Sequence, residues 1–505
     1  MAPSPASRAA TALVGLALAA LGYGLANSYI RRHSQHSGFA LVPVADEVRS
    51  PRASRPRRTL VVVADGLRLD TARTLRSAEV LREAGQCAPT FVGLPSVSRP
   101  VYAVLSTGLE QDRTGARNND ERSPLAVESL WEVAREAGLV VEGRSELAWW
   151  RQLFPRGFDR YAEIPRPENQ FAAPLAADLT LLHPVYIDEA AHDEGAASPA
   201  YASAARRFDD EFLAMLSSMD LGRDLVLLTA DHGHRDRGGH GGAEPEVTQV
   251  LTCLAGAGVA RRPGPPSLDA RSVAPALALL LGLRFPRHMR AVEDDLDVLF
   301  HLAAPEAADA PYLADRRAAV ERFRAENRRA IAARFECERW SDAYRRARLP
   351  QLARASLVAA LTAGALVVRL RSRPGAPWAV AWSVFVAGVF TLLYAALAGG
   401  LDASSINQRA FFVRNALAAG LGALVLGGLA HAGLLRRRID HLTCSETLAL
   451  VALGASAAHL AAYGWPLGFP LPSPYVYFAP FLVSSLLLVA GLQLAFASAF
   501  AAVRR

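Results

Sequence analysis

The stretch "LLTADHGHRDRGGHGG" (Leu227–Gly242) decides the fold. The apolar run "LVLLTA" stops at Asp231, and His232, His234, Asp236 and His240 follow, separated by glycines. An apolar run this short, closed by a turn, reads as a buried strand. Two earlier stretches repeat the pattern. "RTLVVVADGLRLD" reads as a strand over Leu60–Ala64 that breaks at Asp65-Gly66, and "LTLLHPVYID" reads as a strand ending at Asp188. "LVVEG" adds a short strand. Helical spacing appears between them in "TARTLRSAEVLREAG", in "SRPVYAVLSTG" and in "SPAYASAARRFDDEFLAMLSSM", the last opening at Ser198-Pro199. Strands alternating with helices predict an α/β domain with a mostly parallel sheet flanked by helices.

In an open α/β sheet, ligands bind at the carboxyl ends of the strands. Asp65, Asp188 and Asp231 each follow such an end, so three carboxylates are expected to converge there. Unbalanced, they would repel, and a bound cation resolves the repulsion. Histidines accompany them: His232 beside Asp231, His240 beyond it, and His192 four residues after Asp188 in "DEAAH". Mixed Asp and His donors suit zinc, with manganese as the other borderline choice. The donors exceed one tetrahedral ion and fit two divalent ions about 4 Å apart, an arrangement used in phosphoryl transfer. A nucleophile is sought in "GLPSVSRPVYAVLSTG", where Ser96 and Ser98 sit in the turn opening a helix, near the positive end of its dipole. Ser96 is read as the nucleophile and Ser98 as the helix cap.

The remaining chain is different in kind. Of 505 residues 51% are hydrophobic and 20% charged, and the apolar excess gathers in 1–30 and 352–503. Residues 9–30 are uncharged and long enough to cross a bilayer; an uncleaved anchor is favoured over a signal peptide because no clear A-x-A site follows. Further spans are expected at 352–368, 378–399, 411–435, 446–464 and 477–503. Arginines cluster at Arg369, Arg371 and Arg373, at Arg436–Arg438 and at Arg504 and Arg505, while the intervening loops carry almost none. This places the clusters in the cytoplasm and 31–350 on the extracytoplasmic, periplasmic or lumenal side, although Arg31, Arg32 and "RSPRASRPRR" argue the other way. The net charge of +7 is a membrane-surface feature, and no nucleic-acid motif accompanies it. The expected organisation is an anchor (1–30), a basic linker (31–58), a catalytic domain (59–305), a helical connector (306–351) and a membrane bundle of about five spans (352–505). The four cysteines form no CxxC pair, and one disulfide is possible without being assignable.

Taken together, "ADGLR", a serine before a helix, "DEAAH", "ADHG" and "GGHGG" resemble the alkaline phosphatase superfamily. Within it the likeness is greatest to the GPI ethanolamine phosphate transferases, particularly their type 1 members. The family's PTESRP motif reads "PSVSRP" here, which puts Ser96 at its threonine position, and "RSVAPALALLLGLRFPR" (271–287) resembles the segment after the metal site. The resemblance covers about 58–300. It implies an alkaline-phosphatase-like fold, one ion on Asp65, Asp231, His232 and Ser96, and a second on Asp188, His192 and His240. His234 and Asp236 match no ligand position. Phosphodiesterase relatives place an asparagine on the phosphate, which Asn119, or Asn118 one step off, would supply; Arg68 or Arg99 would balance phosphate charge. The implied donor is a phospholipid such as phosphatidylethanolamine and the implied acceptor a glycan or glycolipid hydroxyl. A hydrolytic phosphodiesterase or phosphatase is the alternative, and a transporter-like protein whose outer domain only binds is a third reading. A sulfatase is disfavoured because Phe91 in "CAPTF" stands where that family needs arginine. The eukaryotic transferases carry many more C-terminal spans, and the Ala/Arg-rich composition suggests a bacterial relative.

Overall fold

The computed structural model describes residues 4–33, 52, 54–116, 119, 122–287, 289, 300–303, 309–322, 342–372, 375–401, 404, 409–436, 438–463 and 474–500. The chain divides into two compact units, one comprising Met1–Gln35 with Arg339–Arg505, the other His36–Glu338.

The central unit is built on an eight-stranded sheet. Its strands are β1 (Thr59–Val63), β2 (Gly85–Phe91), β3 (Val141–Ser145), β4 (Arg160–Glu163), β5 (Leu179–His183), β6 (Leu225–Thr229), β7 (Gln249–Gly256) and β8 (Leu268–Asp269). Their order is β4-β3-β5-β1-β6-β7-β2-β8. β1 pairs in parallel with both β5 and β6, and only β7, antiparallel to β6 and β2, runs against the rest. Every residue of β1, β5 and β6 is buried, as continuous apolar strands covered on both faces should be. Each buried Val or Leu contributes roughly 1.5–3 kcal/mol over exposure. Because β1, β2, β5 and β6 point the same way, the segments after them open on one edge.

Two departures from the expected elements follow from local chemistry. The strand expected to reach Asp188 ends at His183, because Pro184 has no amide to donate. A helix, Tyr186–Glu194, begins two residues on and carries Asp188 in its first turn. The helix expected after β1 is two pieces, Leu69–Ala72 and Arg76–Ala84. Cys87 and Cys253 are directly opposed in the β2–β7 ladder and form a disulfide.

The other unit is helical. Among the described residues, six helices are long and apolar enough to cross a membrane: Pro5–Ser28, Leu352–Ser372, Ala376–Ala398, Phe412–Leu435, His441–Ala461 and Leu482–Ala499. The protein is an integral membrane protein. The first of these lies against the last along a seam of small residues. A Cβ on Gly15 would lie 2.6 Å from the Ala495 amide nitrogen, and one on Gly491 would lie 2.4 Å from that of Ala19. Such approach is what lets helices associate where lipid removes the hydrophobic drive. Of the 306–351 connector, 310–322 and 342–351 are helical, and 306–308 and 323–341 lie outside the described residues.

Candidate active site

Asp65 lies two residues past β1 and Asp231 two past β6, so the parallel register brings them side by side. Both are buried. Asp65 Oδ2 accepts from the Tyr102 hydroxyl (2.5 Å) and lies 3.1 Å from His183 Nε2, whose Nδ1 is 2.8 Å from Ser145 Oγ. Tyr102 stacks on Trp150 with centroids 4.4 Å apart, which fixes the phenol. Asp231 Oδ1 accepts from the Gly66 amide at 3.1 Å. The other oxygens, Asp65 Oδ1 and Asp231 Oδ2, are buried without a hydrogen-bond partner. Both face His232 Nε2, at 3.5 and 3.1 Å, and Ser98 Oγ lies 3.2 Å from the same nitrogen. Ligands 2.0–2.1 Å from a tetrahedral zinc stand about 3.3 Å apart, close to the distance of each of these three oxygens from His232 Nε2.

A second group adjoins it. Asp188 Oδ1 lies 2.7 Å from His234 Nε2, 3.4 Å from His192 Nε2 and 3.7 Å from His240 Nε2. His192 Nε2 and His240 Nε2 are 3.2 Å apart. The His192 position follows from its helix, since residues four apart share a face. The His232 and His240 rings stack with centroids 3.6 Å apart, joining the two groups. Positive φ at Gly238, Gly239 and Gly241 lets the loop turn back on both sides of His240.

The electrostatics agree with a missing countercharge. Burial, reinforced by the Asp65 charge, pushes the Asp188 carboxyl well above its usual range and raises that of Asp231. Burial also acts to raise Asp65, but the hydrogen bond from His183 and the charge of His232 hold it below the ordinary value. Burial acts to depress His232, and the nearby charges of Asp231 and Asp65 overcome it and bring the imidazole to about 10. Burial and the charge of His232 bring His192 down to about 4. The orphaned oxygens, the spacing and the charge deficit all fit divalent cations.

The two serine hydroxyls lie in different surroundings. Ser96 Oγ donates to the Gly242 carbonyl (2.7 Å) and accepts from the Gly241 amide (3.2 Å), while its own carbonyl lies 3.0 Å from His240 Nδ1. It clasps the glycine loop and orients His240. The Ser98–Thr107 helix has Val97 at its N-cap and no side-chain cap bond. Ser98, in the first helical turn, therefore brings its hydroxyl to His232 Nε2, while the Ser96 hydroxyl lies on the glycine loop. His234, set aside on sequence grounds, is wholly buried within the second group.

Asn119 is positioned on Ser98. Its Oδ1 accepts from the Arg99 amide at 3.0 Å and its Nδ2 donates to Ser98 Oγ at 3.4 Å. Asn118 lies outside the described residues. Arg99 is buried, donates to Gln152 Oε1 at 2.7 Å and lies 4.5 Å over the Trp149 ring. Arg68 is held by Asp70 and Asp236, at 2.6 and 2.5 Å. Tyr102 and His183 were not anticipated; no spacing rule links them to Asp65, and only the fold brings them to it.

No family model matches the chain. Among curated proteins it is distantly related to the human GPI ethanolamine phosphate transferase 2 catalytic subunit, 24% identical over 218 residues, which are 38% of this chain and 22% of that protein. The GPI ethanolamine phosphate transferase 2 of Yarrowia lipolytica is 24% identical over 248 residues, 43% of this chain and 28% of that protein. That of Aspergillus fumigatus is 24% identical over 226 residues, 38% and 29% respectively. The chain thus spans under a third of the length of these relatives, which are type 2 enzymes where the motifs had pointed to type 1. Among solved structures, human ectonucleotide pyrophosphatase/phosphodiesterase 5 aligns with a TM-score of 0.40 and 12% identity over 46% of this chain and 96% of that one. A 2-O GAG sulfatase aligns with a TM-score of 0.37 and 16% identity over 46% and 72%.

Proposed function

We propose that the protein is a membrane-bound, two-metal phosphoryl-alcohol transferase of the alkaline phosphatase superfamily. It moves phosphoethanolamine from a phospholipid such as phosphatidylethanolamine to a glycan or glycolipid hydroxyl, through a covalent intermediate on Ser98. The carrying observation is Ser98 Oγ, at a helix start, 3.2 Å from His232 Nε2 and beside two unpartnered carboxylate oxygens. Distant sequence relation to phosphoethanolamine transferases supports the choice of head group.

Asp65, Asp231, His232 and Ser98 would hold one divalent ion, zinc first and manganese second, and Asp188, His192 and His240 the other. When bound, such ions lower the pKa of a hydroxyl and neutralise charge on the transferring group. Ser98 Oγ attacks phosphorus in line, its bond to phosphorus forming as the bond to the diacylglycerol oxygen breaks. In net terms the Ser98 proton passes to that leaving oxygen. The acceptor hydroxyl then attacks the same phosphorus, the Oγ–phosphorus bond breaks, and the acceptor's proton returns to Ser98. Asn119 holds Ser98 Oγ and offers an N–H to a phosphoryl oxygen, and the helix start adds its dipole. The catalytic unit faces the extracytoplasmic side; the arginine-bearing loops and the Cys87–Cys253 disulfide, which suits an oxidising compartment, support this.

Purified full-length protein incubated with head-group-labelled phosphatidylethanolamine and a glycolipid acceptor tests the reading. Label on the acceptor, and on Ser98 in a quenched reaction, is expected. Release of free phosphoethanolamine with no labelled acceptor identifies a hydrolase and overturns the transferase reading.

A further inference from the structure

We propose that His234 is a ligand of the second ion, completing a set of three imidazoles and one carboxylate with His192, His240 and Asp188. The inference rests on the two-ion reading and adds a residue to it.

His234 is wholly buried, and its Nε2 points at Asp188 Oδ1 from 2.7 Å. Asp188 Oδ1, His192 Nε2 and His240 Nε2 already stand 3.2–3.7 Å apart, near the spacing of about 3.3 Å expected around a tetrahedral zinc. His234 brings a further nitrogen to the same oxygen. Its ring lies edge-on to both neighbours, with centroids 4.7 Å from His192 and 4.9 Å from His240. The backbone makes room for it. Gly66, at φ +72°, would carry a Cβ 2.9 Å from Asp188 Cβ and 3.1 Å from His234 Cδ2, so any other residue there would displace both.

The chemistry of the ring points the same way. Burying an imidazole is costly unless its polar atoms are used. His234 Nδ1 is buried without a hydrogen-bond partner, so Nε2 alone ties the ring to its surroundings. The single oxygen it meets is also approached by His192 and His240. Three imidazole nitrogens directed at one carboxylate oxygen make a poor hydrogen-bond network and a good donor set for zinc.

The test is zinc binding by the detergent-solubilised full-length protein, titrated against a chromophoric chelator. His234→Met removes the donor, and His234→Gln keeps an N–H within reach of Asp188. Both variants are expected to retain the tighter ion. Both should lose affinity for the other by more than the roughly 10–100-fold that loss of an outer hydrogen-bond partner costs. Second-ion binding by His234→Gln within that range makes His234 a hydrogen-bonding residue and overturns the assignment. X-ray absorption on the unsubstituted protein needs no variant: four imidazoles shared by two zinc ions support the proposal, and three overturn it. Failure of the unsubstituted protein to bind zinc overturns the two-ion reading as well, so the two failures are told apart.

Discussion

The two halves of the site use different donors on different supports. The half around Asp65, Asp231 and His232 is anionic, and it grows from strand ends. A buried tyrosine and histidine brace Asp65 from behind. The half around Asp188 is rich in imidazole and comes from a helix and a glycine-turned loop. Oxygen donors on a rigid sheet edge suit the polarising of a hydroxyl, and the hydroxyl within reach is that of Ser98. Imidazoles on a loop suit retention of an ion whose pocket must admit substrate. The difference teaches that one sheet edge can carry two adjoining donor groups of different chemistry, one fixed by strand register and the other by a helix and a glycine-turned loop.

The largest effect should come from Ser98→Ala. Turnover is expected to fall by ~10⁴-fold or more, while metal analysis still finds both ions. Ser96→Ala should keep Ser98 chemistry intact and lower turnover by no more than about 10-fold, through loss of a loop hydrogen bond. The reverse ranking would break the comparison by returning the nucleophile to Ser96. Next in size is Asp231→Asn, which should empty the first half and leave the second filled, with turnover down by roughly 10³-fold. Loss of both ions together in the same assay would mean that the halves are not independent.

Tyr102→Phe sharpens the comparison further. It removes one hydrogen bond behind Asp65 and should weaken the first ion about 10–100-fold, leaving the second unchanged in a zinc titration. Asp224→Asn should touch neither half. Asp224 accepts from Arg57 and Arg58 at 2.7 and 2.8 Å, and these bonds, acting against burial, hold its carboxyl below the usual range. A depressed folded pKa gives stability that is present above the unfolded value near ~3.9 and lost as pH falls through the folded one. The variant should therefore lose about 1–3 kcal/mol at neutral pH and show a shallower acid transition by denaturant titration.

The α/β architecture was legible because apolar runs closed by Asp-Gly and Asp-His mark strand ends by local chemistry alone. Asp65 and Asp231 could be placed for the same reason. Asp188 was placed by the right neighbours on the wrong element, since Pro184 cut its strand short. His192 survived this error because an i, i+4 pair carries its own geometry. Ser98 was read as the helix cap and Ser96 as the nucleophile, a choice that turns on which residue begins the helix, and Val97 takes the cap. His234 could not be read because its direction depends on a loop closed by Ser96, 138 positions earlier in the chain. The Cys87–Cys253 pairing likewise depends on the β2–β7 register, which joins segments 166 residues apart.

The glycine seam of the membrane unit carries a consequence for biogenesis. The Pro5–His33 helix is synthesised before the central unit, yet its close-packed partner, Pro474–Phe500, is synthesised after it. Domains fold as units in order of synthesis. The central unit is thus translated and free to fold while the Pro5–His33 helix still lacks that partner. Insertion of the Pro474–Phe500 helix is the event that completes this seam.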